Sequence, residues 1–134
     1  MANPERISIR SDRDVLTARQ RGRTLGESVG FVSTDLTLIA TAISELARNI
    51  VLYAREGEIE LRLLAEERRA GLMIVARDDG PGIADLNLAM EDGYSTSGGL
   101  GLGLPGVKRL MDTFEIISHP GQGTTVRIAK WLRI

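Results

Sequence analysis

EIELRLLAEERRAGLMIVARDDGPG, residues 58–82, decides the fold. Ile59, Leu61 and Leu63 alternate with Glu58, Glu60 and Arg62, the period of a strand with one apolar and one wet face. EERRAG (66–71) has the composition of a hairpin connection, and LMIVAR (72–77) is the strand returning from it. The run then breaks on Asp78-Asp79-Gly80-Pro81-Gly82, which no regular element accommodates. A hairpin with one wet face belongs to an antiparallel sheet covered on its other face. A doubly wound parallel sheet would need strands apolar on both sides.

The flanks agree. Upstream, Leu36, Ile39, Ala40, Ile43, Ala47, Ile50 and Val51 recur at spacings of three and four, which predicts an amphipathic helix to about Tyr53. Ser33 or Thr34 is its expected cap, with Asp35 favourable in the first turn. Residues 12–29 predict an earlier helix capped by Ser11 or Asp12 and stopped at Gly30, with Gly22 and Gly26 weakening it. ISIR (7–10) precedes it as a short strand. Downstream come a short helix over 84–91, a glycine-dense loop over 93–104 and a helix from Pro105 to about Phe114. FEIISH and TTVRIAKWLRI close the chain as a strand pair joined by PGQG. The order β-α-α-β-β-α-α-β-β predicts a two-layer α/β sandwich. Helices cover one face of a mixed, mainly antiparallel sheet, in a single domain spanning 1–134.

The 134 residues suffice for a core without staples. The chain has no cysteine, which removes a disulfide framework and any Cys-ligated metal and suits a cytoplasmic setting. A net charge of -1 offers no basic excess for nucleic acid or an anionic membrane. MANPERISIR lacks the apolar stretch of a signal peptide, and no run is expected to reach the length of a transmembrane helix.

Glu45 and Asn49 sit four apart in ISELARNI, on one side of the second helix and roughly opposite its apolar stripe. Such a pair is ordinarily a solvated face. Leu38 and Ala42, earlier on that side, make it less uniformly wet. DDGPG alone is a common turn, but a carboxylate at a strand end can accept from the exocyclic amine of adenine, with glycines letting the backbone pass close. Gly98-Gly99-Leu100-Gly101-Leu102-Gly103-Leu104 runs into a helix, whose N-terminal N–H groups suit phosphate oxygens. No strand immediately precedes it and no P-loop lysine follows, so it is neither a Rossmann turn nor a P-loop. Gly121-Gln122-Gly123-Thr124-Thr125 is a hairpin turn in its own right.

Taken in order, Glu-x-x-x-Asn on a helix, DxGxG, GxGLGL and GxGTT resemble the four boxes of the Bergerat, or GHKL, ATP-binding superfamily over residues 45–125. TAISELARNI, LYA, MEDGYSTSGGLGLGLPGVKRLMD and IAKWLR narrow the resemblance to the serine/threonine switch kinases of bacterial partner-switching, stressosome-type systems. The resemblance implies a protein kinase using ATP and Mg²⁺. Glu45 would be the base and Asn49 the Mg²⁺ ligand. Asp78 would read adenine, with Gly80 and Gly82 shaping the pocket and Thr124 supporting the base. Gly99, Gly101 and Gly103, with Leu104, would form a lid over the phosphates. Lys108 would approach a phosphate, although a solvated lysine explains it equally well, and Arg48 is a candidate of the same grade. The implied substrate is a STAS-domain protein, with a PP2C-type phosphatase as a further partner. An anti-sigma-factor kinase is the alternative. His119 is expected at the surface, and Trp131 and Phe114 in the core.

Overall fold

The computed structural model describes residues 3–82, 90 and 103–133. Five strands, β1 (Glu5–Ile9), β2 (Gly57–Glu66), β3 (Arg69–Asp78), β4 (Thr113–Ser118) and β5 (Thr124–Arg133), form one sheet in the order β1-β2-β3-β5-β4. The expected sandwich is present, and every pairing is antiparallel, so the described sheet has no parallel component. The β2–β3 hairpin closes on Glu67 and Arg68, tighter than the connection read from EERRAG.

Helices α1 (Asp12–Val29), α2 (Ser33–Asn49) and α3 (Gly103–Leu110) supply the second layer. Ser11 and Asp14 start α1: the Asp14 carboxylate accepts from the Arg10 N–H at 2.8 Å and the Ser11 N–H at 3.2 Å. Gly30 ends it with φ 112. Gly22 and Gly26, costly in an isolated helix, are the reason α1 packs closely on α2. A Cβ would lie 2.1 Å from Ile43 Cδ1 at Gly22, and 2.8 Å from Leu36 Cδ2 at Gly26. Val32 occupies the cap position of α2, so Ser33 is already helical. Helix α3 starts at Gly103 and ends at Leu110, and Phe114 lies in β4, because Asp112 turns the chain onto β5. The Asp112 N–H donates to Ala129 O at 3.0 Å, and its carboxylate accepts from the Trp131 N–H at 2.7 Å.

The core lies between the layers. Ile59, Leu61, Leu72, Ile74 and Ile128 from the sheet meet Ile39, Ile43 and Leu46 of α2 and Val107 of α3. Each such side chain contributes about 1.5–3 kcal/mol by leaving water. Ser33–Ala54, 22 residues, is long and apolar enough to cross a membrane by length and composition, contrary to the sequence expectation. Half of its most apolar 18-residue window is buried inside this fold, where it serves as the central core helix.

The helix-free face of the sheet departs from the simple alternation. Glu60, expected in water, is only 1% exposed. Its carboxylate accepts from Arg62 at 2.9 Å and Arg77 at 3.1 Å, with Arg6 at 3.4 Å. Burial pushes this carboxyl up, but the hydrogen bonds and charges of Arg77 and Arg62 outweigh it and hold it below the ordinary range. Trp131 is not a core residue either. It is half-buried on the open face, and the Arg69 guanidinium carbon lies 3.6 Å from its ring centroid.

Candidate active site

Antiparallel partners share a face. The register therefore sets Ser118, Thr124 and Asp78 in one row across β4, β5 and β3. The row is one step beyond the apolar row Ile116, Val126 and Ala76, on the helix-covered face. It is where the sheet's interior turns polar.

Asp78 is the last residue of β3. One carboxylate oxygen accepts the Gly80 N–H at 2.9 Å, and the Thr124 N–H donates to the same carboxylate. Burial pushes this carboxyl above its ordinary value, the two N–H donors oppose that, and the charge of Asp79 adds to it. The surrounding loops interlock. Gly123 has φ +83, and a Cβ there would lie 2.1 Å from Asp78 O. Gly82 has φ +75 and passes so close to His119 that a Cβ would meet its carbonyl oxygen at 2.2 Å. The Gly121 N–H donates to Pro81 O at 2.6 Å. Gly80 crosses against the end of the second helix, where a Cβ would lie 2.6 Å from Ala54 Cβ.

That helix end brings the second half of the site. After Asn49 the chain widens into a single π turn, Ile50–Ala54, which Arg55 terminates at φ 72. Such turns recur at functional sites because they re-aim neighbouring residues. Ile50 lies against Gly57, the pairing partner of Asp78: a Cβ at Gly57 would sit 2.9 Å from Ile50 Cγ2. Asn49 is the last residue of α2 and half-buried. Glu45, one turn earlier, is 1% exposed, so the expected wet side of the helix is interior at this point. Among the described residues neither Glu45 carboxylate oxygen has a hydrogen-bond partner, and Arg48 forms an ion pair with it at 3.5 Å. A buried carboxylate without hydrogen-bond donors is costly, which sets Glu45 apart from the rest of the interior.

Asp78, Gly80, Gly82 and Thr124 therefore meet at one end of the sheet, and Ile50 and Ala54, which follow Asn49 in the chain, reach that end through Gly57 and Gly80. Leu104 is buried in the core at the start of α3, and Gly103 opens that helix with φ 59. Lys108 is exposed, and no described contact ties it to the Asp78 row. Gly99, Gly101 and the expected helix over 84–91 lie outside the described residues, apart from residue 90. His119 is exposed as expected.

Two features were missed from sequence. One is the π turn, which leaves no compositional mark. The other is Ser118, buried at 6% with its Oγ 2.7 Å from Thr124 Oγ1 and donating to Gly123 O at 3.2 Å. Its signal was available: Phe114, Ile116 and Ser118 share strand parity, so a serine occupies a core-facing position.

Among the described residues no three His, Cys, Asp or Glu side chains cluster as a metal cage. A half-buried asparagine such as Asn49, one turn after the buried Glu45, fits a cation that takes few protein ligands and keeps water and phosphate oxygens, which is the habit of Mg²⁺.

A family model described as histidine kinase-, DNA gyrase B-, and HSP90-like ATPase matches residues 34–134. The chain is 53% identical over 127 residues to the serine/threonine-protein kinase RsbT of Bacillus subtilis, covering 95% of this chain and 96% of that protein. It is 34% identical over 105 residues to the anti-sigma F factor of Bacillus cytotoxicus, covering 73% of this chain and 70% of the relative. Among solved structures it resembles the RsbU and RsbW domains of Rv1364c from Mycobacterium tuberculosis, with TM-score 0.63 and 20% identity over 96% of this chain and 32% of that one. It also resembles the mycobacterial sensor histidine kinase MprB, with TM-score 0.54 and 18% identity over 99% of both chains. At those identities the structures speak for the fold alone.

Proposed function

Because the chain belongs to the histidine kinase-, DNA gyrase B- and HSP90-like ATPase family, we propose that the site at the Asp78 end of its sheet binds Mg-ATP and phosphorylates a serine or threonine of a protein partner. The observation that carries this reading is Glu45, a buried carboxylate with no hydrogen-bond donor among the described residues, one turn before Asn49. A general base needs free acceptor lone pairs when the substrate hydroxyl arrives. The likeness to the serine/threonine-protein kinase RsbT over nearly both whole chains supports the same activity.

In this reading the Asp78 carboxylate accepts from the exocyclic amine of adenine, and Thr124 supports the base beside it. Gly80 and Gly82 hold the neighbouring loop close to Ala54 and His119, which shapes the adenine pocket. Asn49 supplies the side-chain oxygen for Mg²⁺, whose charge offsets that of the phosphates. Gly99, Gly101 and Gly103 would cover the phosphates, with the core-buried Leu104 anchoring the end of that run rather than covering them, and Lys108 would approach from α3. Glu45 takes the proton of the substrate hydroxyl as its oxygen bonds to the γ-phosphorus and the β–γ bridging oxygen leaves with ADP. Phosphoryl transfer depends more on this positioning than on covalent catalysis.

The substrate we propose is a STAS-domain protein of a partner-switching stress pathway in the cytoplasm, with a PP2C-type phosphatase as a second partner. The test incubates the purified chain with Mg-ATP and the STAS proteins of its source organism, and maps the modified residue by mass spectrometry. The reading expects one phosphorylated Ser or Thr that disappears with Glu45→Ala. The likeness to anti-sigma F factor favours a second reading, a kinase that also sequesters a sigma factor. Tight capture of a sigma factor, with no STAS protein phosphorylated, would select it.

A further inference from the structure

Among the described contacts, the Ser118–Thr124–Asp78 row offers more acceptors than protons. Asp78, when ionised, can only accept, and it already takes the N–H groups of Gly80 and Thr124. Thr124 Oγ1 lies 2.7 Å from Ser118 Oγ, a hydroxyl–hydroxyl hydrogen bond in which one partner must give its proton. Ser118 has a single hydroxyl proton, and Gly123 O, an obligate acceptor, stands 3.2 Å from its oxygen. If Ser118 donates to that carbonyl, the short bond draws its proton from Thr124. Thr124 then has only lone pairs left for a ligand.

We propose that Ser118 is a positioning residue for base selection: by taking the Thr124 proton, it makes the mouth of the row an array of acceptors that selects a purine carrying an amine at position 6. Such an amine brings two N–H donors, one for Asp78 and one for Thr124, directly or through one water. A purine with a carbonyl at that position sets an acceptor against acceptors and is rejected. Ser118 is suited to the task by its surroundings. It is buried at 6%, at the mouth of the β4–β5 hairpin, and the close approach of Gly123 to Asp78 O fixes the carbonyl it donates to. The proposal rests on the nucleotide reading of this site and adds which residue sets the hydrogen-bond polarity.

The test is calorimetric titration with ATP and with inosine triphosphate, which differs at position 6 and N1 alone, at one fixed pH. Ser118→Ala frees the Thr124 hydroxyl to donate. The ATP-to-ITP affinity ratio should fall about tenfold, the effect of one hydrogen bond reversed. Ser118→Thr should restore the ratio. Thr124→Val should lower it as well, and adding Ser118→Ala in that background should change it no further. If Ser118→Ala does not fold, Ser118→Cys carries the same expectation, because a thiol is a weak donor and acceptor. A side chain that merely packs would weaken both nucleotides together and leave the ratio constant, which overturns the proposal. ATP affinity insensitive to Asp78→Asn would instead sink the parent reading of the site.

Discussion

Two side chains at the site pull function and stability in opposite directions. Glu45 is a buried carboxylate with no hydrogen-bond donor among the described residues and only the Arg48 ion pair to offset its burial, so Glu45→Gln should leave the ligand-free protein at least as stable while transfer falls about 10²–10⁴-fold. Denaturant melts paired with a phosphorylation assay check both halves. ATP affinity should hardly change, because a base acts on the transition state; Asn49→Ala should weaken Mg²⁺-dependent binding as well. Asp78 carries a related conflict with a pH signature. Its carboxyl titrates above the ordinary value of 3.8, so ionisation is harder in the fold than in the unfolded chain. The stability it contributes is present below that value and lost as pH rises through the raised one. Asp78→Asn should therefore melt higher than wild type at neutral pH, with the gap narrowing as pH falls toward 3.8. The same variant should bind ATP more weakly by about 1–3 kcal/mol, since a buried polar pair is mismatched. A variant that melts lower at pH 7 and binds ATP normally would contradict both statements.

Elements position these side chains, and the glycines and turns between elements carry the tightest constraints. Gly123 combines φ +83 with an approach that leaves no room for a Cβ beside Asp78 O. Gly123→Ala should cost about 1–3 kcal/mol and loosen nucleotide binding with it, measured by thermal melts and titration. Arg55 ends the π turn at φ 72, an unfavourable region for a side chain, so Arg55→Gly should hold or raise stability by up to about 1 kcal/mol. Alternation and periodicity are local, and they made β2, β3, α1 and α2 legible along with the polar end of the hairpin at Asp78. Glu45 was found through its spacing from Asn49, yet its burial was not foreseen, because only the tertiary packing of the helices decides whether a helix's second side meets water. The π turn was invisible, since widening a helix by one residue needs no special residue. Trp131 was misplaced because an indole is equally at home in a core or under an arginine, and the strand parity that decides between them was not applied to it. Ser118 was missed for the same reason.

At the scale of the molecule, the open face of the sheet is held by charge. Glu60 lies under Arg6, Arg62 and Arg77, and its carboxyl is held below the ordinary 4.5. Its contribution is present above that value and fades as pH falls through the lowered one. Glu60→Gln should therefore destabilise the chain by about 1–3 kcal/mol at pH 7, and the difference from wild type should shrink in acid. Equal melting at pH 7 would mean that the arginines contribute nothing net. The hairpin register has a separate practical consequence. Asp78 pairs with Gly57 at one end of the β2–β3 ladder, while Glu66 pairs with Arg69 at the other, about 30 Å away for ten residues of strand. New chain termini could therefore be cut at Glu67–Arg68 and the original ends joined by a linker, with every strand keeping its partner. A fluorophore or a fused domain at that distal turn would sit far from Asp78 and leave that end of the sheet clear.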